Sequence, residues 1–403
     1  MAPLTLGTFL RSFTFGHVRR LDVGAERLLT GAWALSAGPK DAVLSHRVMA
    51  PSTLGTFLRE FTFGHVRQLD AVAETLMTRA WALGAGPGDA PVTIDIDSTI
   101  LEVHGSAKQG VGYGYTGVLG YHPVLATRAD TGEVLHLHFR KGSANTQRGA
   151  QRFVRETVGR VRRAGASGEL TIRADSGFFS KYVIQACRNH DLSYSITVPQ
   201  TPTITRAIEG SDEAAWAEID NTTNGEAWVA ETDYQGQRLI VRRTKLYEPR
   251  PALFPYYRYH ALITDRDGDA TFLDVEHRRH AVVELAIRDL KEGSGLEHCP
   301  SGDFNANAAW AVLASIAHNF VRWVAALGLE MTGTSSPRQS VASSSRCLVV
   351  SPRPLVVDAF TCRPTGPGSP SGVSASSVSS NYRPEQSVLR SPADHPATSS
   401  ANK

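Results

Sequence analysis

From Pro91 onward, short runs with the period of a strand alternate with longer runs that suit a helix. That alternation restricts the fold more than any other feature of the chain. VTIDID (Val92–Asp97), ELTIRAD (Glu169–Asp175) and LSYSITVP (Leu192–Pro199) read as strands, as do Tyr121–Thr127 and Val134–Phe139. Between them, Thr146–Ala164 and Lys181–Asn189 read as helices. Such an order predicts a mixed α/β sheet covered by helices. From 201 to 259 the pattern changes to short β-like pieces with Pro and Gly, which predicts a β-rich insertion. The strand YHALITD then resumes, followed by helices over Val275–Glu292 and Ala306–Leu327. The core is therefore expected in two parts, 91–200 and 260–330, around the insertion.

The two ends behave differently. Thr5–Pro39 recurs as Thr53–Pro87 with 27 of 35 positions identical, a duplication of a helical segment and too few copies for a solenoid. The second copy, in 49–90, is continuous with the core and is expected to hold the native place; the first, in 1–48, is an extra. Ser52 is the candidate N-cap of the second copy, ahead of Leu54, Phe57, Leu58 and Phe61 at helical spacing. Beyond 330 the composition collapses: residues 334–403 hold 18 Ser and 9 Pro, and this tail is expected to be disordered.

Composition removes several function classes. Net charge is +3, and seven Lys/Arg against three Asp/Glu in the tail leave the rest at −1, so any nucleic-acid site must be a local basic patch. The four cysteines have no C-x-x-C spacing, which excludes a zinc ribbon and fits a reducing, cytoplasmic setting. The apolar stretch Ala308–Leu329 contains His318, Asn319 and Arg322 and reads as a buried helix rather than a membrane span.

Four acids stand out by context. Asp95 and Asp97 lie two apart on one strand and so share a face. Asp175 ends the strand ELTIRAD, and Glu284 lies in the helix HRRHAVVELAIRDLKEG. Carboxylates from strand ends and from a helix against the sheet can converge on a divalent cation. On the Glu284 helix, His277, His280, Glu284, Arg288 and Lys291 fall on one stripe, with Val275, Val282, Leu285 and Leu290 on the other. That stripe suits a phosphate backbone beside a metal; it equally suits a solvated, ion-paired helix face. The run Arg148, Arg152, Arg155, Arg160, Arg162 and Arg163 against Glu156 has the same two readings.

In order and on the right elements, these residues resemble the DDE transposases of bacterial insertion sequences, a branch of the RNase-H-like superfamily. The matching pieces are Asp97 in DIDST, Asp175 in RADSGFF, and Glu284 with Lys291 seven positions on, the Glu and Lys of a Y-x2-R-x3-E-x6-K pattern. His277 and His280 stand where that pattern has Tyr and Arg, a departure, with Arg279 beside them. GYTGVLGYHPVLA and GLEHCPSGDFNANAAW also look like this group. The resemblance implies an RNase-H-like mixed sheet flanked by helices. It implies that Asp97, Asp175 and Glu284 hold two Mg²⁺ (or Mn²⁺) ions and are catalytic, with Asp95 behind them. Lys291, Arg288, His280, His277 and Arg279 would face DNA. The expected partners are the element's terminal inverted repeats and target DNA, bound by a homodimer at the bacterial nucleoid. The alternatives are a metal-dependent nuclease of this fold and an inactive DNA-binding remnant, since the tail resembles nothing in the group and reads like translation past a frameshift.

Overall fold

The computed structural model describes residues 51–114, 116–220, 225–246 and 256–330. The first repeat copy, read as an extra, and the tail, read as disordered, lie outside the described residues.

Among the described residues, nine strands form one sheet in the order β6-β5-β1-β7-β8-β12-β11-β10-β9. The first five are β1 (Val92–Ser98), β5 (Val124–Arg128), β6 (Val134–His138), β7 (Leu170–Ala174) and β8 (Ser193–Thr197). β5 and β6 run antiparallel beside β1, whereas β7 and β8 run parallel to it. This central strand with an antiparallel arm on one side and parallel strands on the other is the RNase-H-like arrangement. A small second sheet, β2 (Leu101–Glu102), β3 (Gly112–Tyr113) and β4 (Leu119–Tyr121), follows β1. Gly120 in β4 is required by packing: a Cβ there would collide with the Leu101 carbonyl.

The β-rich insertion continues the main sheet. β12 (Tyr256–Thr264) pairs antiparallel with β8, and β11 (Gln237–Leu246), β10 (Ala227–Tyr234) and β9 (Ala217–Ile219) follow. β10 and β11 are joined by Gln235 and Gly236, both at positive φ, the two-residue turn whose twist matches the strands. Unpaired, β8 would expose a row of backbone donors and acceptors.

Helices cover both faces. On one, α2 (Phe63–Ala80), α3 (Ala150–Arg163) and α4 (Lys181–Asn189) bury Met77, Phe153, Val158 and Ile184 against Ile94, Ile96 and Ile172. The helix expected to start at Ser52 is split: α1 (Pro51–Arg59) contains Ser52, and α2 begins after an N-cap at Thr62. Thr62 Oγ1 accepts from His65 N at 3.4 Å while the His65 ring accepts from Thr62 N at 3.3 Å, a reciprocal cap that starts a new helix. A short α5 (Pro202–Glu209) opens the insertion.

On the other face lie α6 (Ala270–Arg278), a 3-10 turn (Arg279–Ala281), α7 (Val282–Arg288) and a π turn (Asp289–Gly293). This differs from the single continuous helix that the spacing predicts over Val275–Glu292, with Val275, Val282, Leu285 and Leu290 on its apolar side. Of these only Leu290 is buried; Val282 and Leu285 are 44% and 48% exposed, and Val283, Ala286 and Ile287 face the core instead. The 3-10 turn has three residues per turn rather than 3.6, so it shifts the phase of everything after it.

The last helix, α8 (Phe304–Glu330), contains a segment, Phe304–Leu327, long and apolar enough by length and composition to cross a membrane. Its buried polar groups are tied into the protein. Asn319 accepts from Val134 N and donates to Val134 O, both at 2.7 Å, and so closes the outer edge of β6. Ala306, Ala309 and Val312 of α8 pack on Phe57, Leu58 and Leu69.

Candidate active site

β1 and β7 are parallel neighbours with Ile96 opposite Ala174. The next residue on each is Asp97 and Asp175, so two carboxylates stand side by side at the C-terminal ends of adjacent strands. Ser98 N donates to Asp97 Oδ1 at 2.6 Å. Asp175 caps the 3-10 turn Ser176–Phe178, accepting from Gly177 N at 3.1 Å. A Cβ at Gly177 would come within 3.2 Å of Asp175 Oδ1 and 3.0 Å of Thr146 Cγ2, so the turn tolerates little beyond glycine. Glu284 sits in the first turn of α7, exposed, and α7 packs against β1.

The electrostatics join the three. Burial pushes the Asp97 carboxyl up to about 6; the Ser98 amide opposes this, and the charges of Asp175 and Glu284 add to it. Burial also raises Asp175, against the pull of His280 and of the Gly177 and Phe178 amides. A group of hard oxygen donors that resists full ionisation on its own fits a hard divalent cation, whose charge would remove the mutual repulsion.

Beneath the acids lies a buried polar layer. Asp95 is fully buried, and Arg173, its register partner on β7, grips both its oxygens, with Nη2 to Oδ2 at 2.8 Å. His280 Nδ1 lies 2.9 Å from Asp95 Oδ1, and Arg173 also donates to the Glu276 carbonyl at the end of α6. One ion pair thus fixes β1, β7 and the helical segment that carries Glu284. Arg173 escaped sequence reading, although a signal existed: it precedes Asp175 by two, as Asp95 precedes Asp97, so the pair occupies matched positions on neighbouring strands.

The expected DNA-facing residues divide. Arg288 is exposed, and Arg279 is exposed and paired with Glu276 at 2.6 Å. Lys291 is partly buried, donates to the Ile100 carbonyl at 2.9 Å, and lies within electrostatic reach of Asp97; burial lowers its ammonium pKa. His280 points at Asp95 and acts on Asp97 and Asp175, favouring their charged forms. His277 does not fit the expected contact with phosphate. It is 3% exposed, with Nδ1 at 2.8 Å from Ser195 Oγ and Nε2 at 2.8 Å from Thr197 Oγ1. It lies in α6 ahead of the 3-10 turn, on the side that β8 covers, whereas the acidic end of the stripe lies beyond the turn.

The arginine-rich helix α3 is largely neutralised. Arg160 pairs with Asp70, Arg163 with Glu74, and Arg152 with Glu156. Arg162 donates to the Ala166 and Gly168 carbonyls. Tyr121 is fully buried and donates to the Gln109 carbonyl, so its ring offers no face to a base.

The sheet order and flanking helices are those of an RNase-H-like fold. The family described as transposase DDE domain group 1 matches residues 32–340, and the chain belongs to that family. Among solved structures it is similar to a piggyBac transposase, determined by cryo-electron microscopy as a synaptic complex with hairpin DNA. The identity is 14% and the TM-score 0.42, over 81% of this chain and 70% of that one. No curated protein matches.

Proposed function

We propose that the chain is a DNA transposase that cuts the ends of an insertion sequence and joins them to target DNA, using Asp97, Asp175 and Glu284. The observation that carries this reading is the side-by-side placement of Asp97 and Asp175 at the ends of β1 and β7, with Glu284 electrostatically coupled to Asp97. Asp97, Asp175 and Glu284 would hold two divalent ions of the Mg²⁺ or Mn²⁺ class. When bound, such ions activate an attacking oxygen and stabilise the leaving one in phosphodiester chemistry.

The chain's own residues do the rest. Ser98 N and the amides of Gly177 and Phe178 fix the two aspartates. Asp95 and Arg173 hold β1 and β7 in register beneath them. Arg288, exposed one turn beyond Glu284, meets the DNA backbone, and Lys291 lies within electrostatic reach of Asp97. Cutting frees a 3′-hydroxyl, which attacks the target strand in the same site; no covalent bond to the protein is needed. Two copies of the chain, one at each terminal inverted repeat, would make the active complex at the nucleoid.

The test uses the purified full-length chain, Mg²⁺ or Mn²⁺, and a plasmid carrying the element's terminal repeats. Transposition predicts cleavage and joined products, both abolished by Asp97→Ala. Cleavage without joining would mean a nuclease; binding without cleavage would mean an inactive remnant.

A further inference from the structure

A second cluster of metal-ligating side chains lies away from the three acids. His136 and His138 alternate on β6 and point to the same face, where α3 crosses and presents Glu156. The ligand-capable atoms of these three side chains all lie within 4.8 Å of one another. His136 Nε2 is buried without a hydrogen-bond partner, and beside it His138 Nε2 and Glu156 Oε2 face each other at 2.9 Å, an imidazole–carboxylate pair. An unpartnered buried imidazole nitrogen is costly, and one that converges with an imidazole–carboxylate pair calls for a common ligand.

We propose that His136, His138 and Glu156 bind one divalent transition-metal ion of the Zn²⁺ class, at a site distinct from Asp97, Asp175 and Glu284. Two imidazoles and a carboxylate are donors for Zn²⁺ rather than for Mg²⁺, which takes oxygen. The supporting shell is in place. His136 is 2% exposed, and its Nδ1 lies 3.1 Å from Thr157 Oγ1. With the proton on Nδ1 donated to Thr157, Nε2 keeps its lone pair for the metal. The His136 ring stacks on Phe153 at 4.7 Å, which fixes its plane. Glu156 Oε1 accepts from Arg152 at 2.8 Å, leaving Oε2 to face the histidines. The nearby Arg160 is paired with Asp70 and Glu74, which offsets its repulsion of a cation. Burial keeps both imidazoles neutral at pH 7, His138 at about 4 and His136 well below its usual value. A cavity of about 130 Å³ beside His138, lined also by Arg140, Arg148, Arg152 and Phe153, has room for water. The bound ion would clamp the edge strand β6 to α3.

The test is titration of chelator-stripped full-length protein with Zn²⁺ and with Co²⁺ near pH 7.5, followed by calorimetry and visible absorption. The expected result is one equivalent bound, with cobalt absorption bands and a raised Tm, and no displacement by excess Mg²⁺. His138→Gln and Glu156→Gln, at partly exposed positions, should lose that equivalent or bind at least 10-fold more weakly. Asp97→Asn should keep it, which separates this site from the three acids. Absence of stoichiometric Zn²⁺ binding and of any Tm rise in the wild type would overturn the proposal. So would wild-type binding in both variants, or displacement by Mg²⁺.

Discussion

Replacing Asp97 by asparagine (Asp97→Asn) should stabilise the metal-free protein while removing its cation response. The folded environment holds the Asp97 carboxyl at about 6, against 3.8 for the free side chain, chiefly through burial and with added repulsion from Asp175 and Glu284. A carboxyl raised on folding keeps its proton in the folded state after the unfolded chain has released its own. Its stabilising effect is therefore complete below about pH 4 and is lost as pH rises through about 6. At about 1.4 kcal/mol per pH unit the full difference is about 3 kcal/mol; partial solvent access brings this to about 1–3 kcal/mol. The amide that replaces the carboxyl cannot ionise, so at pH 8 the variant should be more stable than the wild type by that amount, and the gap should close towards pH 4.5. Urea denaturation across this range, with chelator present, measures it. Added Mg²⁺ should narrow the gap sharply or reverse it, because binding at one hundred times the dissociation constant stabilises the wild type by about 2.7 kcal/mol and the variant by far less. A variant that is less stable at pH 8, or a gap that does not change with pH, would refute the reasoning, because Asp97 would then not lie in a shared field of acids.

Three further outcomes follow from the same kind of argument. Glu133 is fully buried and accepts from Trp81 and Trp323, and burial pushes its carboxyl up to about 7. Its stabilising effect is lost between pH 4.5 and about 7, so Glu133→Gln should gain about 3 kcal/mol over the wild type at pH 8 and little at pH 5, read by tryptophan fluorescence in denaturant; parallel curves would count against it. Removing Asp95 alone (Asp95→Leu) leaves Arg173 charged and buried and should cost about 3–5 kcal/mol, whereas Asp95→Leu with Arg173→Met should recover most of that; additive losses in this cycle would mean the pair is not coupled. Asn319→Leu strips both partners from Val134 and should cost about 2–5 kcal/mol, with faster amide exchange at β6; wild-type exchange there would contradict the edge-closing role.

The alternation of strands and helices, and with it the sheet that places the candidate acids, was legible in the order of the residues. VTIDID and ELTIRAD could be read because period 2 is local: each residue's face follows from its neighbours alone. The positions of Asp97 and Asp175 at strand ends were legible for the same reason. The Glu284 helix was not. Its 3-10 turn at Arg279–Ala281 shifts the phase of the following residues, so Val282 and Leu285 stayed in solvent, while His277, ahead of the turn, packs on Ser195 and Thr197 of the sheet. Tertiary structure alone decided pairings across long separations: Asp95 with Arg173, Glu133 with two tryptophans, Asn319 with the backbone of β6. It also turned most of the arginines of α3 into ion pairs and backbone contacts, which charge counting along the chain could not foresee. The physical reason is the range of each interaction. Backbone periodicity is set by sterics within a few residues, whereas the partner of a buried charge is whichever group the folded sheet brings within reach, and no spacing in the sequence encodes that distance.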